Sequence, residues 1–305
     1  IASKLLTEQP VLSLQYGVTE GYLPLRQAVM ERMQQTEQIG RDFDDIVITS
    51  GGQQGIELAT KCLVNEGDIV IAEEPSFIGA LNAFRSYGAK LIGIPMDADG
   101  MNLERLEDVL KTHDNVKLIY TIPTFQNPSA ITMSLEKRRA LYELAKRYHV
   151  FIIEDNPYGE LTFDGNKVPT IKSMDKDGIV IYCGSFSKIL SPGMRIGFVC
   201  APKEIVTKLV VAKQISDVHT NLFFQMVVSE YLKQKDIAEI RTLYRQKNEA
   251  MLQKMDQVLP SSVTYTRPQG GLFIWCDLGA GIDAAAFTKK LLQQKVAVVP
   301  GSTFL

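Results

Sequence analysis

The sequence predicts an α/β chain: a mostly parallel sheet sandwiched by helices, with one antiparallel strand, plus a smaller α+β domain. Three observations predict it. From residue 46 onward, short continuous apolar runs alternate with segments of helical period. Runs that are apolar on both faces, with a helix between each pair, belong to a parallel sheet covered on both sides. Finally, the apolar runs ending at Cys183 and starting at Arg195 are separated by only about ten residues, and a parallel crossover needs a dozen or more.

The first strand, 46–49, leads into a helix that runs through 57–64. Strand 68–72 precedes a helix at 77–87, and strand 90–95 precedes one at 103–111. Strand 116–122 precedes the strongest helical pattern, 135–148, where Leu141, Leu144 and Ala145 share one face. Ser134 is its expected N-cap, with Glu136 in the first turn. Two more strands follow at 150–153 and 179–183, and the strand at 195–200 should run antiparallel to its neighbours. Helices are expected at 205–215, Leu222–Leu232 and 237–258. The closing segment reads as strands at 263–266, 272–276 and 296–299, with a helix at 284–294. At about 150 residues per domain, 305 residues suggest two. The expected division is a large domain over 17–235 and a smaller one from 1–16 and 236–305, incomplete at both ends.

Charge and composition exclude several function classes. Lys plus Arg total 33 against 35 Asp plus Glu, a balance that gives no reason to expect nucleic acid as a partner. No apolar run reaches the ~18 residues of a membrane span. The four cysteines form no CxxC pair and read as buried free thiols of a reducing, cytoplasmic compartment. His113, His149 and His219 follow no metal-ligand spacing, so no metal site is expected.

In open α/β sheets, ligands collect beyond the carboxyl ends of the strands, so the residues following each strand are the candidate site. After 46–49 comes Ser50-Gly51-Gly52-Gln53-Gln54-Gly55, a glycine-rich turn that can aim backbone N–H groups at an anion. It is neither a GxxxxGK[ST] nor a GxGxxG motif. After 116–122 comes Pro123-Thr124-Phe125-Gln126-Asn127-Pro128. After 150–153 comes Glu154-Asp155-Asn156-Pro157-Tyr158-Gly159. A carboxylate at the end of a buried strand needs a cationic partner, either a metal ion or a protonated heterocycle. The loop after 179–183 decides between them. Lys188 lies between hydroxyls in Ser185-Phe186-Ser187-Lys188, with Arg195 seven residues on. A lysine to form a Schiff base, an acid for a pyridine nitrogen, and hydroxyls and arginine for a phosphate are the parts that pyridoxal 5′-phosphate (PLP) needs.

The chain resembles the fold-type I PLP-dependent aminotransferases of class I/II over essentially its whole length. The stretch from Ser185 to Gly197 (SFSKxxxPGxRxG) carries the resemblance, with EDNPY, QNP and SGGQQG in the family's order. Within the family, QYGxTxG and EDNPYGEL are most similar to the branch acting on 2-aminoadipate, aromatic and branched amino acids, commonly with 2-oxoglutarate as acceptor. The resemblance makes Lys188 the Schiff-base lysine and proton shuttle, and Asp155 the partner of the pyridinium. It sets Asn127 and Tyr158 on the ring's phenolic oxygen, and Phe77 on its face. Gly52, Gln53, Ser185, Ser187 and Arg195 match the phosphate cup. Tyr16 matches the residue that reaches the neighbouring subunit's phosphate in a homodimer with shared sites.

Two departures stand out. Gly52 replaces a serine or threonine of many relatives. The chain also stops at Leu305, before the arginine that grips the substrate carboxylate, and the N-terminal segment that caps the site is short. Arg267 reads as a surface charge rather than a substitute, so the 305 residues alone are expected to bind PLP but transaminate poorly. Two other functions fit the same cradle: the effector domain of a GntR/MocR-type transcriptional regulator, and a PLP-dependent C–S lyase.

Overall fold

The computed structural model describes residues 1–233 and 237–305. The expected domain boundary at 235/236 lies outside the described residues. Three helices come first: α1 (Ala2–Glu8), α2 (Pro10–Leu14) and α3 (Leu23–Glu37). An alternating series follows: β1 (Asp44–Thr49), α4 (Gly52–Leu63), β2 (Ile69–Glu74), α5 (Ile78–Ser86), β3 (Lys90–Asp97), β4 (Gly100–Met101), α6 (Leu103–Thr112), β5 (Val116–Thr121), α7 (Leu135–Arg147) and β6 (Phe151–Asp155). The short α8 (Ile171–Met174) then leads to β7 (Val180–Ser185), and a 3-10 turn to β8 (Gly197–Pro202). Helices α9 (Lys203–Gln214), α10 (Leu222–Leu232) and α11 (Ala238–Val258) complete the first part of the chain.

The strands form one eight-stranded sheet in the order β1-β8-β7-β6-β5-β2-β3-β4. Strands β7, β6, β5, β2 and β3 are mutually parallel, and β8 is antiparallel to both β1 and β7. The short connection therefore has the predicted consequence. Strand β1 consequently points the same way as the parallel block, so six carboxyl ends share one edge with the start of β8.

Alternate residues of the central strands feed two cores. Ile153, Ile181 and Leu118 pack with Ile56, Phe84 and Leu209 of α4, α5 and α9 on one face. Ile152, Val180 and Ile119 pack with Leu106, Leu141 and Ile171 of α6, α7 and α8 on the other. Ser134 caps α7 as expected, its hydroxyl accepting from Lys137 N at 3.3 Å. Leu5 of α1 packs against Leu222, Met226 and Val227 of α10.

The closing segment departs from expectation. Strands β9 (Thr264–Tyr265) and β10 (Cys276–Asp277) are only two residues each, joined antiparallel, and α12 (Ala284–Gln293) follows. The chain between them is pulled toward the large sheet instead: Gly271 N donates to Leu161 O at 3.0 Å, and Phe163 N to Gln269 O at 2.8 Å. Residues 296–299 form no strand; Val296, Val298 and Val299 are exposed and have no ladder partner among the described residues, without which apolar β-formers do not make a strand. The thiols also divide: Cys183 and Cys200 are buried, Cys62 is half-buried, and Cys276, in the two-residue β10, is exposed.

Candidate active site

The β1–α4 turn sits at the shared carboxyl edge. Gly51 caps α4 in a left-handed conformation (φ 82°), and no side chain caps the helix, so its first N–H groups remain available to an anion. Glycine suits position 51 because its φ of 82° is one that L side chains rarely adopt, and a Cβ there would also crowd the Arg195 guanidinium. Arg195, itself left-handed at φ 54°, donates from Nη2 to Ser50 O at 3.2 Å and from Nη1 to Pro192 O at 3.4 Å. Gly197 pairs with Thr49 on one side and Ser185 on the other. A Cβ on Gly197 would lie 2.7 Å from backbone atoms of Gly51 and Gly52, so the two turns touch through their main chains. Ser185 Oγ accepts from Ser187 N at 3.2 Å and donates to Ser187 Oγ at 3.0 Å. A Cβ on Gly52 would meet the Ser185 Cβ at 3.6 Å, an ordinary contact, so the serine or threonine of relatives would fit. Gln53 donates from Nε2 to Gly79 O at 2.8 Å, tying the turn to the start of α5 beside half-buried Phe77.

Asp155 ends β6, is buried, and accepts from the Tyr120 hydroxyl at 2.7 Å through Oδ2. Its Oδ1 has no hydrogen-bond partner among the described residues. Burial pushes its pKa up to about 7; the Tyr120 hydrogen bond opposes this and the nearby Glu73 charge adds to it. Such a group gains by meeting a cation. Tyr158, buried and edge-on to Phe273 at 5.5 Å, receives a 3.4 Å hydrogen bond from Asn127 Nδ2. Burial, and then the Asp155 charge, raise the Tyr158 phenol above its ordinary value. The Asn127 turn is fixed from below: buried Glu73 accepts from Gln126 Nε2 and Ile122 N, each at 3.1 Å. Gln126 Oε1 in turn accepts from Ser129 N at 2.8 Å.

Lys188 is half-buried between Ser187 and buried Ile189, and its amine has no hydrogen bond or ion pair among the described residues. Tyr16 stands apart from the rest: it is 79% exposed, and its ring contact is His219, edge-on at 5.6 Å. Arg267 pairs with exposed Asp256, as a surface charge would. Cavities flanked by Glu37 and Asn156 are lined by neither Lys188 nor Asp155.

Sequence reasoning missed Tyr120 and Glu73. A tyrosine and a glutamate within apolar strands carry no sign of a role until the sheet sets β5 beside both β2 and β6. The donor set fits PLP: an uncapped helix N-terminus with two serines and an arginine, and a buried carboxylate with one oxygen free. A buried phenol–amide pair and an amine with no partner complete it. No helix is long and apolar enough to cross a membrane among the described residues.

This architecture and donor set define the fold-type I class of PLP-dependent enzymes. Residues 8–305 match the family of class I and II aminotransferases, and the chain belongs to that family. It is 42% identical to aromatic-amino-acid aminotransferase 1 of Thermococcus litoralis, across all of this chain and 75% of the relative. The solved kynurenine aminotransferase of Pyrococcus horikoshii, in complex with PMP, aligns with a TM-score of 0.95 at 41% identity, covering 99% of this chain and 76% of that one. The α-aminoadipate aminotransferase LysN of Thermus thermophilus, complexed with N-(5′-phosphopyridoxyl)-L-leucine, aligns with a TM-score of 0.92 at 38% identity, covering 100% and 78%. The chain is thus a PLP-dependent aminotransferase that moves an amino group from an amino acid to a 2-oxo acid. The regulator and lyase readings are not favoured.

Proposed function

We propose that the amino donors are aromatic amino acids and 2-aminoadipate, with 2-oxoglutarate as acceptor, and that the residues at the sheet's carboxyl edge divide the work. The observation that carries the division of roles is the buried Asp155 with one oxygen held by Tyr120 and the other free. When bound, PLP supplies an electron sink for the pair left on the substrate's α-carbon. Asp155 holds the ring nitrogen protonated, because an ionised carboxylate in a buried site stabilises a facing cation. Lys188 Nζ would hold the cofactor until the substrate's amine replaces it, and the amine so freed would be the base placed to carry the α-proton. Tyr158 and Asn127 hold the phenolic oxygen, and Phe77 covers the ring face. Gly52 and Gln53 N–H groups, the Ser185 and Ser187 hydroxyls and Arg195 bind the phosphate.

The same reading makes the protein a cytoplasmic homodimer with shared sites. Val11, Leu14, Tyr16 and Val18 are 61–79% exposed, an apolar stretch that a second copy would cover, with Tyr16 reaching the partner's phosphate. Borohydride reduction of the full-length protein, followed by peptide mass spectrometry, tests the site. The cofactor mass should fall on Lys188, and an adduct on another lysine overturns the assignment. A screen of amino acids against 2-oxoglutarate tests the donors. Aromatic and 2-aminoadipate donors should lead, and a preference for small neutral donors would refute that choice.

A further inference from the structure

The turn between α9 and α10 carries a charge cluster to which the roles above give no task. Lys213, in the last turn of α9, has a fully buried side chain. Its Nζ donates to both oxygens of Asp217, at 2.7 and 2.8 Å, and to Gln54 Oε1 at 2.7 Å. Asp217 Oδ2 also accepts from Ser50 Oγ and from Gln54 Nε2, each at 2.8 Å. Gln54 Oε1 accepts the Ser50 N–H at 2.8 Å, and Ser50 O accepts from Arg195 at 3.2 Å. Every polar group of Ser50 is therefore held: its N–H by Gln54, its hydroxyl by Asp217 and its carbonyl by Arg195.

Ser50 is the residue before Gly51, where the chain turns through a left-handed conformation to aim the first N–H groups of α4. A buried ammonium is tolerated only when paired and hydrogen-bonded, and an ion pair for Lys213 alone could be made without touching this turn. Here the pair is shared with two side chains of the turn itself. Although burial works against it, the hydrogen bonds from Lys213, Gln54 and Ser50 hold the Asp217 carboxyl below the usual range, so it is a permanent acceptor at neutral pH.

We propose that Asp217, fixed by Lys213, is a positioning residue that preforms the 50–53 turn as a phosphate cup. This rests on reading that turn as the place where the cofactor's phosphate binds. A preformed cup raises affinity by removing the ordering cost at binding, and only for the part of the ligand that the cup holds. The cofactor-free full-length protein should therefore be titrated with PLP and with pyridoxal, which lacks the phosphate. Asp217→Asn should weaken PLP binding about tenfold or more, the scale of one hydrogen bond to a charged group, and leave pyridoxal binding within about twofold. Ser50→Ala, which leaves the buried ion pair intact and guards against a folding defect in the first variant, should weaken PLP several-fold with the same selectivity. Equal losses for both ligands, or no loss for PLP in Ser50→Ala, would overturn the proposal. Wild-type protein that binds PLP no better than pyridoxal would instead overturn the phosphate-cup reading of the turn.

Discussion

Replacing Tyr120 with phenylalanine isolates the contact under Asp155. The Tyr120 hydroxyl donates to Asp155 Oδ2 at 2.7 Å, while its ring lies edge-on to Phe84 at 5.5 Å. Tyr120→Phe keeps that ring packing and removes one donor. A hydrogen bond to a charged group contributes about 1.5–3 kcal/mol, and one pKa unit corresponds to about 1.4 kcal/mol. The Asp155 carboxyl, already pushed up to about 7 chiefly by burial, should therefore rise by roughly one to two further units. It would then be mostly protonated at neutral pH in the cofactor-free protein, and holding a ring nitrogen protonated would become harder by the same free energy. In steady-state assays of the full-length protein, kcat should fall about tenfold to a hundredfold, with the donor KM changing less than about threefold. A second readout separates this from simple damage to the core. A carboxyl whose folded pKa is raised contributes stability below its unfolded value and loses it as pH rises through the folded value. In the variant that loss should extend to higher pH. A kcat within twofold of wild type, together with an unmoved stability profile, would refute the view that Tyr120 sets the ionisation of Asp155.

Two further outcomes follow from the same geometry. Gly197→Ala would push a methyl group to 2.7 Å from main-chain atoms of Gly51 and Gly52, neither of which can swing away. It should cost about 1–3 kcal/mol by thermal unfolding and weaken PLP binding at least tenfold, and wild-type values for both would show that the turns do not meet there. In wild-type cofactor-free protein, Asp155 and Glu154 are raised by burial to about 7 and about 6. The sign is that of a raised acid: Tm should fall between about pH 5 and 7.5, with Asp155 contributing up to about 4 kcal/mol. The depressed, exposed carboxylates Asp97, Asp99, Asp177 and Asp256 titrate below that window and do not oppose the trend. Calorimetry showing a flat or rising Tm over the window would contradict the burial of this pair.

What could be read from the sequence was whatever depends on neighbours in the chain. Strands β5, β6 and β7 announced themselves as apolar runs because both of their faces are covered, and Ser134 marked the start of α7 by local chemistry. The candidate cofactor residues could be nominated because Ser185, Ser187, Lys188 and Arg195 occupy one short loop. Long-range pairs were not legible. Tyr120 and Asp155 are 35 residues apart, and Ser50 and Asp217 are 167 apart, so neither pairing leaves a local trace. Lys213 looks like any solvated helical lysine until α9 is packed on the sheet and α4. The failed strand at 296–299 is the opposite error: β-branched residues express a propensity, but a strand exists only where another supplies its hydrogen bonds.

The reversed strand is what makes one loop sufficient for so much of the site. Had β8 run parallel to β7, its connection would have had to cross the sheet, and the chain would enter β8 at the edge opposite Ser185. Arg195 and Gly197 would then lie a full strand length from the β1–α4 turn. Running antiparallel, β8 begins at the edge where β7 ends, with Ser185 and Gly197 in register and Gly197 also opposite Thr49. The whole stretch from Ser185 to Gly197 therefore stays at one edge, and β8 lies between β7 and β1. Two turns that are 145 residues apart in sequence are thereby closed against each other through backbone, with Arg195 bonded to Ser50 across the seam. On this topology the two halves of the cup meet through their main chains. The cup needs a short return, a glycine on each side of the seam, and one distant acid, Asp217 in the α9–α10 turn, to hold Ser50 still.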